Sequence, residues 1–301
     1  METLEALSAR LATTEDIKSI VRTMKSLSSA SIRQYEHAVE AMSDYERAIE
    51  LGLRAVLRDR RRQGGWLPTR GERPPGRRHA LIVIGSDRGL CGRFNDRIAR
   101  HARLAIDAVA SNGEQARPLL CVVGLRAAAR LEAAGHPADR LFMLPGSIAG
   151  LAGSVQKVAI EVDRWSSDEG ANRVDIVFNR RNEHALAEPV RRAVLPVPRD
   201  YLDGLSRQDW PSRGLPLFRM DAARLFNWLI GQFLFVRLYQ SLAESLASEH
   251  ASRLAAMQNA ERNIDDRREV LQAQYRKKRQ ETITRELLDV VAGFESVRAR
   301  R

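Results

Sequence analysis

Apolar and small residues recur every three or four positions from about Asp221 to Val297, and no proline interrupts them. One seam runs Leu225, Leu229, Gln232, Val236, Tyr239, Ala243, Leu246, His250, Leu254 and Met257. It resumes as Ile264, Leu271, Tyr275, Ile283, Leu287, Val290 and Phe294. This period predicts a single amphipathic helix. At 1.5 Å per residue it would be roughly 115 Å long. No single domain encloses such a helix, so it needs a partner helix along it and other protein around whatever protrudes.

The opening of the chain supplies the partner. Leu7, Thr14, Val21, Ser28, Tyr35, Met42, Ile49 and Val56 fall seven apart. Leu4, Leu11, Ile17, Met24, Ile32, Val39, Tyr45 and Leu53 fill the alternate seam. A sustained 3-4 alternation predicts a left-handed coiled coil between the two terminal helices. Small and polar residues (Thr14, Ser28, Ser31, Ala38) thin its first half, permitting close approach and fixing register at some cost in stability.

Between the helices the period changes. Arg58 to Arg78 is dense in Arg, Gly and Pro around Trp66, and reads as an exposed linker. His79 to Gly85 is a short apolar run bounded by turn residues, a buried strand. Helical spacing over Phe94 to Ser111 stops before Asn112-Gly113. A second strand (Pro118 to Val123), a helix (Leu125 to Ala134, stopped by Gly135), a short strand (Leu141 to Leu144) and a helix (Gly153 to Trp165) follow. Val174 to Asn179 is another strand, and Ala185 to Val197 is extended and proline-marked. Alternating strands and helices imply a mainly parallel sheet with right-handed crossovers. The expected fold is α/β: a Rossmann-like, mainly parallel domain over 79–200, joined to a long antiparallel coiled coil of the N- and C-terminal helices. The expected boundaries are a helix over 1–57, a linker over 58–78, a connection over 201–220, a helix over 221–297 and a basic tail over 298–301.

Composition adds a charge. The net charge is +11, carried mostly by arginine, which suits an acidic partner: nucleic acid, anionic headgroups or acidic protein loops. Cys91 and Cys121 stand thirty apart beside strand-like runs and form no CxxC pair, so reduced structural thiols are expected. Met1 to Arg10 lacks the basic region and apolar core of a signal peptide. The longest near-apolar stretch, Leu225 to Val236, is too short to span a bilayer.

Chemistry is expected first in the loop after the leading strand, because ligands of such sheets bind at the carboxyl ends of strands. The loop reads Gly85-Ser86-Asp87-Arg88-Gly89-Leu90-Cys91-Gly92-Arg93-Phe94-Asn95. Its glycines could expose backbone N–H groups near a helix start, a generic anion cradle. Neither GxGxxG nor GxxxxGK[ST] fits, however, and no acidic residue ends the second strand to hold a ribose. Cys91 has no identifiable histidine partner, and His37, His79, His101, His136, His184 and His250 show no metal spacing. No catalytic residue, cofactor or metal is expected.

The same loop carries a resemblance. SDRGLCGRFN, after an apolar strand and an amino-terminal helix, resembles the SDRGLCGGFN signature of the gamma subunit of F-type ATP synthases. LASEHASRLAAMQNAERNIDD (Leu246 to Asp266) and YRKKRQETITRELLDVVAGFESV (Tyr275 to Val297) are similar to that subunit's closing segments. The resemblance covers both long helices and the first part of the middle domain. It implies a coiled-coil shaft inside a hexamer of three alpha and three beta subunits, with the middle domain packed against the epsilon subunit and the membrane c-ring. It also implies a location at the cytoplasmic face of the bacterial plasma membrane, and a subunit that binds no nucleotide itself.

Family contacts carry over where motifs match. Met24, in RTMKSL, corresponds to the methionine of the family's KAM motif, near an acidic loop of beta, with Lys25 beside it. Arg253, in ASRLAAM, matches the arginine of AARM. Gln280 and Thr284, in RQETITRE, match the polar pair that contacts the beta catch loop. The loop residues Ser86, Asp87, Arg88, Gly89, Leu90, Cys91 and Gly92 form the signature itself. Beyond Lys25, SIVRTMKSLSSAS lacks the family's usual basic residues after the methionine, and GGFN has become GRFN. These departures resemble a divergent branch of alternative ATPases, some driven by sodium, and leave ion and direction open. A nucleic-acid binder or adaptor using the basic linker is the alternative, and a small-molecule enzyme on the middle domain is another.

Overall fold

The computed structural model describes residues 3–62, 78–111, 117–212, 214 and 216–298. The element order is α1 (Leu4–Arg62), β1 (Arg78–Ile84), α2 (Phe94–Ser111), β2 (Leu119–Val123), α3 (Leu125–Ala133), β3 (Arg140–Phe142) and α4 (Leu151–Asp168). Then come β4 (Ala171–Arg180), β5 (Glu188–Leu195), α5 (Arg199–Arg207) and α6 (Ala222–Arg298). The chain divides into two compact units, Ser28–Arg253 and Met1–Leu27 with Leu254–Arg301.

In the larger unit the five strands lie in the order β3-β2-β1-β4-β5. All neighbours are parallel except β4 and β5. β1 is apolar on both faces because both are covered. Ala80, Ile82 and Ile84 join a core with α1, α4, α5 and α6, whereas Leu81 and Val83 face α2 and α3. Pro189 sits on β5, an edge strand, where a missing N–H breaks no interior ladder. Gly135 stops α3 with φ 85°, as its position after the last periodic residue predicts. From Phe233 to Arg253, α6 is covered on nearly every side, so Ser241, Ser245, Ser248 and Glu249 are buried with its apolar residues.

Element ends differ from the sequence reading in detail. α1 runs on to Arg62, past the expected end at residue 57. The remainder of the linker, 63–77 with Trp66, lies outside the described residues, as do Asn112-Gly113, the tail 299–301 and the side chain of Phe294. Residues 199–207, read as domain end and connection, form α5, which buries Leu202 and Leu205 and packs Tyr201 on Phe233. β3 starts and ends earlier than expected because its register follows β2, with Cys121 opposite Arg140.

The heptad seam of α1 matches burial along its length. In the smaller unit Leu7 and Val21 are buried, and in the larger one Ser28, Tyr35, Ile49 and Val56 are. The alternate seam needs correction. Ile17 and Tyr45 are 47% and 38% exposed, and Met24 is half-buried. The positions four after Thr14, Val21 and Met42 are Lys18, Lys25 and Glu46, and these take the inward places. Lys18 pairs with Asp265 and Lys25 with Glu261, while Arg22 Nε reaches Glu261 at 3.1 Å. Arg268 meets Glu15 at 3.2 Å, so partners descend α6 as they ascend α1, an antiparallel pair. In the larger unit Glu46 accepts from Arg237 Nη2 at 2.9 Å and from Gln240 Nε2 at 2.7 Å. A search for apolar residues passes over such positions, because a charge belongs in a seam only when its counter-charge is built on the facing helix.

Lys18 is 6% exposed and Asp265 about half exposed, so their attraction is partly screened. A double-mutant cycle of Lys18→Ala and Asp265→Ala, read by urea unfolding, is expected to give a coupling of about 1 kcal/mol. Strict additivity would mean that the pair contributes nothing to pairing of the helices.

Candidate functional site

The signature loop is a knot of internal hydrogen bonds. Gly85 N donates to Val123 O at 2.8 Å, and Gly124 N donates to Phe142 O at 2.9 Å. Ser86 N donates to Asn95 Oδ1 at 3.1 Å, Asn95 Nδ2 donates to Ser86 Oγ at 2.7 Å, and Ser86 Oγ donates to Arg88 O at 2.8 Å. Arg126 N donates to Ser86 O at 2.8 Å. Asp87 does the widest stitching. Its Oδ1 accepts from Leu125 N at 2.9 Å, at the start of α3, and its Oδ2 from Leu144 N at 2.8 Å, just past β3. A carboxylate at a helix amino terminus satisfies a donor that the helix leaves unpaired and complements the helix dipole.

The loop glycines answer to space. A Cβ on Gly85 would lie 2.2 Å from Ala127 Cβ, so α3 packs where a side chain would stand. Gly92 has φ 59°, the left-handed region that glycine enters freely. Leu90 also sits there at φ 62°, a strain of about 1 kcal/mol or more. Cys91 is buried against Asn95 Nδ2 at 3.5 Å, and burial pushes its thiol pKa up. Such a thiol is structural and inert. The N–H groups of Gly85, Ser86, Leu125 and Arg126, which could have faced an anion, are all engaged internally.

The loop is tied to α6 by Arg253, which is 6% exposed. Its guanidinium donates to Gly89 O at 3.4 Å and to Glu249, with His250 Nδ1 at 3.5 Å. Within the chain, then, Arg253 ties the loop to α6. Glu249 is buried, which raises its pKa despite Arg253. His250 stacks on Tyr35, with ring centroids 5.8 Å apart. Burial first, then the charges of Arg253 and Arg88, push its pKa down to about 4.

The remaining candidates belong to the smaller unit. Met24 is half-buried, and Lys25 is held by Glu261. Gln280 and Thr284 are exposed and lie one turn apart on one face of α6. With Glu15 opposite Arg268, they fall at or beyond the start of α1 and do not meet Met24. The sequence reading missed Glu249, Asn179, which donates to Phe94 O at 3.3 Å, and the buried His79–Asp175 pair on β1 and β4, capped by the more exposed Arg191 of β5. None carries a spacing signal, since each depends on the register of neighbouring elements. Among the described residues no group of three or more His, Cys, Asp or Glu could hold a metal ion, and no helix is long and apolar enough to cross a membrane.

The family model described as ATP synthase matches residues 3–297. The ATP synthase gamma chain of Synechococcus sp. (strain PCC 6716) is 27% identical over 319 aligned positions, covering 99% of this chain and 100% of that one. The ATP synthase gamma chain of Magnetococcus marinus is 29% identical, with the same coverage. In fold, the chain is similar to one in the Euglena gracilis mitochondrial ATP synthase, OSCP/F1/c-ring, rotational state 3: TM-score 0.63, 20% identity, 98% of this chain and 95% of that chain. A chain of the Tetrahymena thermophila mitochondrial ATP synthase central stalk/c-ring gives TM-score 0.53 at 19% identity, covering 80% and 99%.

Two outcomes follow from the loop. Asp87→Ala strands two backbone N–H groups and is expected to cost about 2–4 kcal/mol. Hydrogen exchange should accelerate at the Leu125 and Leu144 amides; unchanged protection there would deny the stitch. His250 has a folded pKa below its unfolded value of 6.5, so its contribution to stability is present above that pH and lost as pH falls toward about 4. His250→Phe keeps a ring against Tyr35 and should flatten the pH dependence of unfolding in that window.

Proposed function

We propose a function from one fact: this chain belongs to the ATP synthase family. It acts as the gamma subunit, the central rotor shaft of an F-type ATP synthase or ATPase. Three alpha and three beta subunits surround its paired helices, and the epsilon subunit and membrane c-ring meet its sheet domain. Its rotation couples ion flow through the ring, of protons or sodium ions, to nucleotide exchange at the beta sites. The chain itself supplies no catalytic residue and holds no nucleotide, and it works as a peripheral protein at the cytoplasmic face of the bacterial inner membrane.

The observation that carries this reading is apolar surface at the end of α6. Ile283, Leu287, Leu288, Val290 and Val291 are between 47% and 69% exposed. At 100° per residue they spread over roughly 160° of the helix circumference, far wider than one helix seam. Such a tip suits an enclosing sleeve. A second apolar ridge lies on α1, where Ile17, Ile20 and Leu27 are 47–63% exposed around half-buried Met24. A shaft with a different face in each direction gives three otherwise identical sites three different surroundings. That difference is what biases a set of conformational equilibria. Met24, Lys25, Gln280 and Thr284 are the contact residues in this reading. Arg253 is a contact residue in the same reading while also tying the loop to α6, and Ser86 to Gly92 braces the sheet domain.

Co-expression with the alpha and beta subunits of the same organism, with purification through a tag on this chain, tests the reading. The expected product is a three-to-three-to-one complex with Mg-dependent ATP hydrolysis. Failure to co-purify with folded, nucleotide-bound alpha and beta would overturn it. In that complex, Gln280→Ala with Thr284→Ala is expected to lower coupled turnover roughly fivefold for each hydrogen bond to beta that is removed. The helix content of the free subunit should stay the same.

A further inference from the structure

A basic groove lies on the side of the sheet domain, apart from the residues assigned to the shaft. Arg93 lies in the turn just before α2, and Arg97 and Arg100, three apart, share one face of the helix. With His101, Leu104 and Pro189 of β5 they line a cavity of about 280 Å³. Asp96 also lines it, but its carboxylate is paired with Arg130 Nε at 3.0 Å on α3. Arg97 Nη1 donates to Ala187 O at 3.1 Å, which fixes that guanidinium while leaving other donors of the fork open. Arg93 and Arg100 make no ion pair among the described residues. Burial first, then the positive charge of Arg191, hold the pKa of His101 below its usual value.

We propose that this groove between α2 and the start of β5 is a binding site for a phosphate-class oxyanion. Guanidinium forks match phosphate oxygens in a paired, charge-assisted geometry. A groove of about 280 Å³ has room for a phosphate group. Arg93 stands where the resembled signature has glycine, so the groove's outermost cation belongs to this chain's own sequence. The phosphate could arrive free in solution or as the headgroup of a phospholipid.

The test uses the full chain with inorganic phosphate in isothermal titration calorimetry, against chloride at matched ionic strength. A parallel flotation assay uses phosphatidylcholine vesicles with and without phosphatidic acid. The expected result is saturable phosphate binding, weakened about tenfold for each of Arg93→Gly and Arg100→Gln, the loss of one charge-assisted hydrogen bond apiece. Both residues are exposed, so circular dichroism should show both variants folded. Retention by phosphatidic acid vesicles that disappears in the variants would identify the lipid as the source, and binding of free phosphate alone would identify the soluble anion. Equal heats in chloride, affinity unmoved by either substitution, or binding only to an acidic peptide such as poly-glutamate would each overturn the proposal.

Discussion

A helix of 77 residues cannot hide its own apolar surface, and the rest of the molecule depends on how that surface is covered. Its early stretch, Phe233 to Arg253, is enclosed within the larger unit, where the sheet and α1 press on it from several sides. There the residues between the apolar ones must be small or internally bonded, and Ser241, Ser245 and Ser248 meet that need. Further along, α6 has one partner, α1, and the usual polar outer face returns. Past the start of α1 it has none, and its apolar residues stand open.

Charge placed inside the helix pair gives it a specificity that an all-apolar seam would lack. Lys18, Lys25 and Glu46 each occupy an inward position and each meets an opposite or hydrogen-bonding group on α6. Ion pairs of this kind add little net stability, since desolvation offsets the attraction. They do penalise every register but one, because a slipped helix would leave a buried charge alone. In the proposed role of a rotor shaft, a fixed register would matter more than a few additional kcal/mol of stability.

The signature loop shows how a motif that resembles a ligand cradle can be a structural tie. Asp87 fills the helix amino terminus that an anion would otherwise approach, and Asn95 takes the Ser86 amide. Arg253 then fastens the loop to α6. The strained Leu90 and the left-handed Gly92 are held by this over-determined network.

The sequence by itself determined the two long helices, the alternation of strands and helices, and the heptad line of Leu7, Val21, Ser28, Tyr35, Ile49 and Val56. Those features follow from period, and period is a local property of the chain. It also carried the resemblance, since SDRGLCGRFN and the closing segments are contiguous. Tertiary structure alone decided the rest. Whether Ile17 or Lys18 faces inward depends on what α6 presents opposite, and the tie that Arg253 makes depends on a loop 164 residues away in sequence. The antiparallel place of β5, the counter-charges in the seam and the grouping of Arg93, Arg97 and Arg100 with Pro189 arise in the same way. Each joins residues distant in sequence, and no periodicity of one segment encodes what another segment brings beside it.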